Sequence, residues 1–493
     1  MKNNLIILVT VSLLALVTAC SKFVDYDPVE DYQITADNYF TSADDYQKMV
    51  IGTYSPIQWI WANVVIGDVA SDNSVAGGEN ATDQLGLQQI DDYAIVANNS
   101  YLTEAWKACY EGINRANYLH ENKGKLDFSG KDALYGEVYF LRAYYYFELV
   151  RMFGGVPLFT EKRLNASESG SLQRAPVADV YKQIEADLTG AINVLPTTNP
   201  QKGRITKYAA QALLGKVYLY QGKFAEAANM LENVISGPFS LVQDFGSIFL
   251  QSGENGPESI FEIQYSNLSP FYDWSNPGRG QGNLAVQVCG IRNITGSSPY
   301  GQGWSTNLPT QDLEDAFQQG DKRKDVTILD IEAYKAANPQ FNITYLVAPY
   351  KNTGLYNQKY QPRKGETSGQ VELNYLNNFR TIRLADVLLM AAEANNRKSS
   401  PDATKAQLYL NTVRQRAFGD NNHNISATGS QLTEIIWEER RLELAMEGDR
   451  FFDLVRTGKA ASKIKGFVAG KNEVFPIPQQ EIDISGIAQN PGY

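Results

Sequence analysis

Histidine is almost missing from this chain, with two in 493 residues. So few leave little room for a His-based metal site or for a Ser-His or Cys-His catalytic centre. Cysteine is nearly as scarce: the three present have no metal-like spacing, and no zinc motif, EF-hand pattern or Gly-rich nucleotide loop occurs. Cys109 falls in a helical pattern and Cys289 in a loop-like one; they read as unpaired, partly buried thiols, with a disulfide between them as the alternative. An excess of basic charge is missing too. The formal charge of -11 argues against a nucleic-acid partner, which would need a basic face to neutralise phosphates. The most apolar interior stretch, Lys131 to Phe159, is too interrupted by Glu137, Arg142, Glu148 and Arg151 to span a bilayer.

That same stretch organises what is present. At helical spacing Leu134, Val138, Leu141, Tyr145, Leu149 and Met152 form one apolar stripe. Tyr135, Tyr139, Ala143, Tyr146 and Val150 form a second, with Phe140, Tyr144 and Phe147 between them. A helix apolar nearly all round must be covered by other helices. Gly154-Gly155 and then Pro157 stop it. Hydrophobic content of 43% and charged content of 20% describe a globular protein able to bury a sizeable core.

Residues 1–20 read as a secretory signal: Lys2, an apolar segment from Leu5 to Val17, then small residues before Cys20. A cysteine directly after a small residue is similar to a bacterial lipobox, so Cys20 is the expected lipidation site, followed by a polar tether to about residue 40. Two or more acyl chains anchor stably where one holds weakly. A plain signal peptide with an incidental cysteine is the alternative. From Thr41 a capped helix is predicted up to Pro56, then a loop-rich stretch from Trp59 to Ala97, then helix over 103–122. After the central helix come helices over 178–195 and 206–235. In the latter, Leu214-Gly215, Tyr218, Gly222, Phe224, Ala227 and Leu231 fall at the offsets of a tetratricopeptide repeat. A lone repeat cannot bury its faces, so neighbours are required, among them a pair over 382–396 and 403–417. A last helix, 432–446, carries the run EERRLEL, read as a solvated face with local ion pairs. Between about 237 and 379 helical periodicity is interrupted, and 266–303 is rich in Gly, Asn, Ser, Pro and isolated aromatics. So long an irregular stretch is usually functional or disordered, and the aromatics favour an ordered excursion laid over the helices. The expected fold class is all-α dominated: an array of about four tetratricopeptide-like helix pairs (about 41–236 and 380–460) with a loop-rich insertion, in one body over 41–493.

Several motifs together resemble the SusD/RagB family of outer-membrane nutrient-binding lipoproteins of the Bacteroidetes. They are Phe140 to Val150 ending in Gly154 to Leu158, then Gly303-Trp304, Pro309-Thr310, Leu313, Asp321 and Arg323. Further on stand Glu438 to Leu444, Glu447 to Arg450, Asp453-Leu454, and the close from Phe475 to Tyr493, where Ser485 departs from an Asn often found there. The resemblance runs over essentially the whole mature length. It implies a lipid-anchored protein on the cell exterior at the outer membrane, sitting as a lid on a SusC-like TonB-dependent transporter and usually passing oligosaccharides to it. Some members of the family take peptides instead. No cofactor, resident metal or catalytic residue is expected.

A sugar surface needs flat aromatic faces for the C–H side of the ring and planar polar groups for its hydroxyls. Two stretches offer that mixture, and the expectation is that they converge. Trp274 and Tyr300 would stack, Tyr272 would lie beside them, and Asp72, Asn73 and Arg292 would supply hydrogen bonds. The competing readings are that Asp72-Asn73 cap their own turn and that Arg292 pairs with a surface acid. Trp304 is read as a packing residue; of Trp59 and Trp61, one is expected to reach ligand. A surface glycoside hydrolase would instead need two suitably separated carboxylates across a cleft, and a bare repeat scaffold would show a featureless loop surface.

Overall fold

The structure, a computed structural model, describes residues 39–164, 168, 170, 172–273, 280–346, 350–366 and 373–493. Cys20 and the leader before it, and Trp274, lie outside the described residues.

Helix α1 (Ala43–Trp59) starts at a capping box: Ser42 accepts from the Asp45 backbone N–H while the Asp45 carboxylate accepts from the Ser42 N–H. Pro56 does not end it. The carbonyl of Gly52, which a proline four residues on cannot bond, accepts instead from Arg115 Nη1 at 2.6 Å. Two short helices, α2 (Ala62–Val69) and α3 (Leu85–Asp91), follow within the stretch expected to be loop. Gly67 there is no loop signal. A Cβ at this position would meet the Gly448 carbonyl at 1.8 Å, so glycine permits a backbone-to-backbone approach inside a helix. Asn99 caps α4 (Ser100–Glu121), and α5 (Lys131–Phe153) ends at Gly154 as predicted. Helices α6 (Val177–Val194), α7 (Lys207–Tyr220), α8 (Phe224–Ile235), α9 (Leu384–Arg397), α10 (Ala403–Phe418) and α11 (Gly429–Glu443) complete the array.

The helices pack as pairs, α1 with α4, α5 with α6, α7 with α8 and α9 with α10. The pairs stack on one another in that order, with α11 against α9. This is the tetratricopeptide-like arrangement, in which each pair buries a face only against its neighbours. At the α7–α8 crossing Gly215 faces Leu231, where a Cβ would come within 2.6 Å of the leucine side chain. Helix α5 is buried on nearly every side, and its charges survive there because each is paired. Arg142 makes a two-pronged contact with Asp187 at 2.8 and 2.7 Å, Glu137 accepts from Arg204 at 2.7 and 2.8 Å, and Glu148 is held by Arg151. No helix among the described residues is long and apolar enough to cross a membrane.

The insertion is fastened at both its ends and its middle by antiparallel strands of three or five residues. Strand β2 (Ser259–Ile263) pairs with β4 (Phe379–Arg383), and β1 (Ser74–Ala76) with β3 (Asn307–Pro309). Beneath these seams lies a buried ionic network. The Glu443 carboxylate accepts from Arg416 Nη2 at 2.5 Å, from Arg323 Nη1 at 3.0 Å and from Arg383. Arg383 also reaches Glu447 and Glu258. The run EERRLEL is thus not a solvated face: Glu439, Arg440, Arg441 and Glu443 are buried. Charges of one helix find partners across the molecule rather than along it. Cys109 and Cys289 are both unpaired and buried.

Candidate functional site

Helix α1 ends and α2 begins across the turn Ile60–Trp61, so Trp59 closes the first helix and Trp61 caps the second, neither in extended backbone. Both line one cleft of about 670 Å³, a size suited to a small ligand. Arg115 lies over the Trp59 ring, 5.3 Å from its centroid. Trp61 meets Tyr101 of α4 edge to face, centroids 6.0 Å apart. The third indole is that of Trp304, on the loop leading into β3, where the residue's backbone N–H donates to the Gln287 carbonyl at 2.8 Å. Leu85, half exposed, stands at the cleft wall beside Gln84, and Leu284 lies among the lining residues though itself buried. Helix α4 presents Ser100, Glu104, Lys107 and Glu111 on the polar side. Aromatic rings and a row of hydroxyl, amide and charged groups in one lining can hold a molecule with apolar C–H faces and many hydroxyls.

Among the described residues, those expected from sequence to form the site (Asp72, Asn73, Tyr272, Arg292 and Tyr300) do not meet on a common surface. Asp72 is taken up by Arg450, whose Nε and Nη2 donate to its two oxygens at 2.7 and 2.8 Å. Burial pushes its carboxyl up, but the Arg450 hydrogen bonds and charge, with Arg441 nearby, hold it below the usual range. Asn73 is fully buried and accepts from Arg441 Nε at 2.8 Å. Tyr300 is buried against Ile291, Leu308 and Tyr356 and packs on Tyr334, while its hydroxyl accepts from Gln358 at 2.9 Å. Tyr272 is fully buried as well, but in a telling place. With Leu284 and Leu373 it forms the small apolar cluster on which Trp59, Trp61 and Trp304 rest. Arg292 is a strut. Its Nε and Nη2 donate to the Trp304 carbonyl at 3.2 and 2.8 Å, and the same guanidinium pairs with Asp83 and with Glu79. It therefore joins two walls of the cleft, and the reading that it pairs with an acid is the one the structure bears out.

Trp304, read as a packing residue, does pack, partly buried on the Tyr272–Leu284–Leu373 cluster, and it also lines the cleft. Its signal was present: a tryptophan between glycines and Ser-Thr-Asn, the setting of a loop rather than a core strand. For Trp59 and Trp61 the alternatives collapse, since both line the cleft. Among the described residues no group of three or more His, Cys, Asp or Glu is placed to hold a metal ion.

Fold and cleft together define a helical-repeat protein with an aromatic-walled binding groove. The model of the SusD family matches residues 257–474, and a second, described as "Starch-binding associating with outer membrane", matches residues 22–219. A solved "Laminarin binding SusD-like protein" is 36% identical, covering 91% of this chain and 99% of its own, with a TM-score of 0.83. "Surface glycan-binding protein A" from Bacteroides thetaiotaomicron, solved with laminarihexaose, is 27% identical over 91% of this chain and all of its own, with a TM-score of 0.79. "SusD-like protein P2" of Formosa agariphila is 28% identical over 93% of this chain and 94% of its own length. The chain belongs to the SusD family.

Proposed function

We propose that this protein is a cell-surface glycan-binding lipoprotein, held by lipid on Cys20 at the outer membrane. It captures an oligosaccharide in the Trp59–Trp61–Trp304 cleft and passes it to a SusC-like TonB-dependent transporter. The observation that carries this reading is the cleft itself: three indoles and the polar row of α4 in one lining. Support for a laminarin-like ligand comes from the binding named for the relative of 36% identity and from the laminarihexaose complex of a second. A curved β-glucan offers C–H faces to the indoles and hydroxyls to Glu104, Glu111 and Gln84. Trp274, expected on sequence grounds to be exposed, is proposed as a further contact. Capture of a peptide is the less favoured reading, because the cleft is walled mainly by aromatic rings.

We read the activity as binding rather than hydrolysis. Glu104 and Glu111 stand two turns apart on one helix, about 10 Å along its axis, on the same wall. Glycosidic cleavage needs two carboxylates flanking the bond.

Calorimetry on the chain from residue 21 onward, with laminarihexaose, tests the proposal. Saturable binding is expected, and Trp304→Ala should weaken it about tenfold to a hundredfold, the worth of one buried indole contact, with the melting temperature nearly unchanged. Undiminished affinity in that variant would move the site elsewhere. Trp274→Ala is expected to act in the same direction.

A further inference from the structure

Among the described residues around the cleft, each cation stands against a carboxylate. Lys107 lies 3.6 Å from Glu104. Arg115, above Trp59, pairs with Glu111 at 2.9 Å. Arg292, behind Trp304, is spent on Asp83 and Glu79. Among the described residues around the groove, four carboxylates therefore oppose three cations, in a chain whose formal charge is -11. A sulfate ester or a uronate carried into this groove would lose water without gaining a free guanidinium or ammonium. It would also approach Glu104, whose side chain is 61% exposed, and Glu111 directly.

Resting on the reading that the cleft holds a glycan, we propose that it selects uncharged glycans and rejects sulfated or uronate-bearing chains of the same backbone. Discrimination comes from four carboxylates: those of α4 pair with Lys107 and Arg115, and Asp83 with Glu79 outnumbers Arg292, which leaves a small negative excess among the described residues. A site built for anionic polysaccharides would show the opposite pattern, with arginines unclaimed by acids and turned toward the ligand.

The experiment compares laminarihexaose with a sulfated β-glucan of the same linkage, by calorimetry at low and at moderate ionic strength. The neutral ligand should bind at least tenfold more tightly, and the gap should narrow as salt screens the repulsion. In the Glu104→Gln/Glu111→Gln variant, which frees Lys107 and Arg115 while keeping hydrogen-bonding groups, the neutral-to-sulfated affinity ratio should fall severalfold. Equal or tighter binding of the sulfated chain by the unmodified protein would overturn the selectivity while leaving the glycan site standing. An unchanged ratio in the double variant would also overturn it, since rejection would then be a matter of size. Failure of both ligands to bind would bring down the glycan reading and this inference with it.

Discussion

At Arg292 a single guanidinium binds its own chain in two directions, to the Trp304 carbonyl and to Asp83. Arg292→Ala should cost roughly tenfold in glycan affinity by loosening Trp304, because a ring displaced by a fraction of an ångström loses stacking contact. Arg292→Lys, which keeps charge but not the planar fork, should fall between the two. Tryptophan fluorescence would report the altered Trp304 environment without ligand. Asp72 gives the contrasting case. Its carboxylate is 8% exposed and paired with Arg450, so Asp72→Asn should lower stability by about 3–5 kcal/mol, as breaking a buried pair does. Its glycan affinity should remain at the unmodified value in calorimetry below the melting range. From sequence, Arg292 and Asp72 looked alike, polar groups in loops. The partner across the fold separates them, and partners hundreds of residues away leave no trace in local sequence.

Among the elements, α5 and the α7–α8 pair were legible because their signal is periodic and local. An all-round apolar helix has one physical solution, enclosure by other helices. Gly215, at a repeat offset, is where the two helices of that pair approach closely. Gly215→Ala would add up to about 1 kcal/mol of helix propensity, yet its Cβ would meet Leu231, itself fully buried. The net effect is expected to be a loss of about 1–2 kcal/mol, since overpacking costs about 1–3 kcal/mol, read as a lower midpoint in urea. Helices α2 and α3 were not legible. They are seven or eight residues long, too short to be stable on their own, and exist because the core and the Gly448 backbone close over them. Trp61 caps α2 and Leu85 opens α3, so these short elements supply part of the cleft wall beside the longer α1 and α4.

The molecule as a whole is bound together by its buried charges, and pH should expose this. Burial alone would lift the Glu443 carboxyl, but Arg416, Arg383 and Arg323 surround it and hold it well below the usual glutamate range. A folded pKa below the unfolded one contributes stability that is present above about pH 4.5 and lost as pH falls further. Asp68 works the other way. Burial pushes its carboxyl up to about 7, only partly offset by hydrogen bonds from Asn307 and the Gly448 N–H and by Lys359, with Glu447 adding to the rise. Its contribution is full below about pH 4 and fades as pH rises through 7. The melting temperature should therefore peak in mildly acidic solution, near pH 5–6, and fall steeply below pH 4. Glu443→Gln should destabilise by about 3–5 kcal/mol and flatten the acid limb of that profile. A melting series from pH 3 to 9 on both proteins checks this.

The sequence alone determined the helical-repeat class, the central enclosed helix and the family resemblance, because hydrophobic period and clustered motifs are properties of neighbours along the chain. It also pointed to two aromatic-bearing loops for a site, whereas the cleft is lined largely from helices α1 to α4. Which aromatics form the wall, and which are buried beneath it, was decided only by tertiary structure. A tyrosine or tryptophan in a loop looks the same to its neighbours whether it faces water or a packed cluster. Only when α1, α4 and the strand-stitched insertion come together do Trp59, Trp61 and Trp304 line the cleft while Tyr272 and Tyr300 are buried.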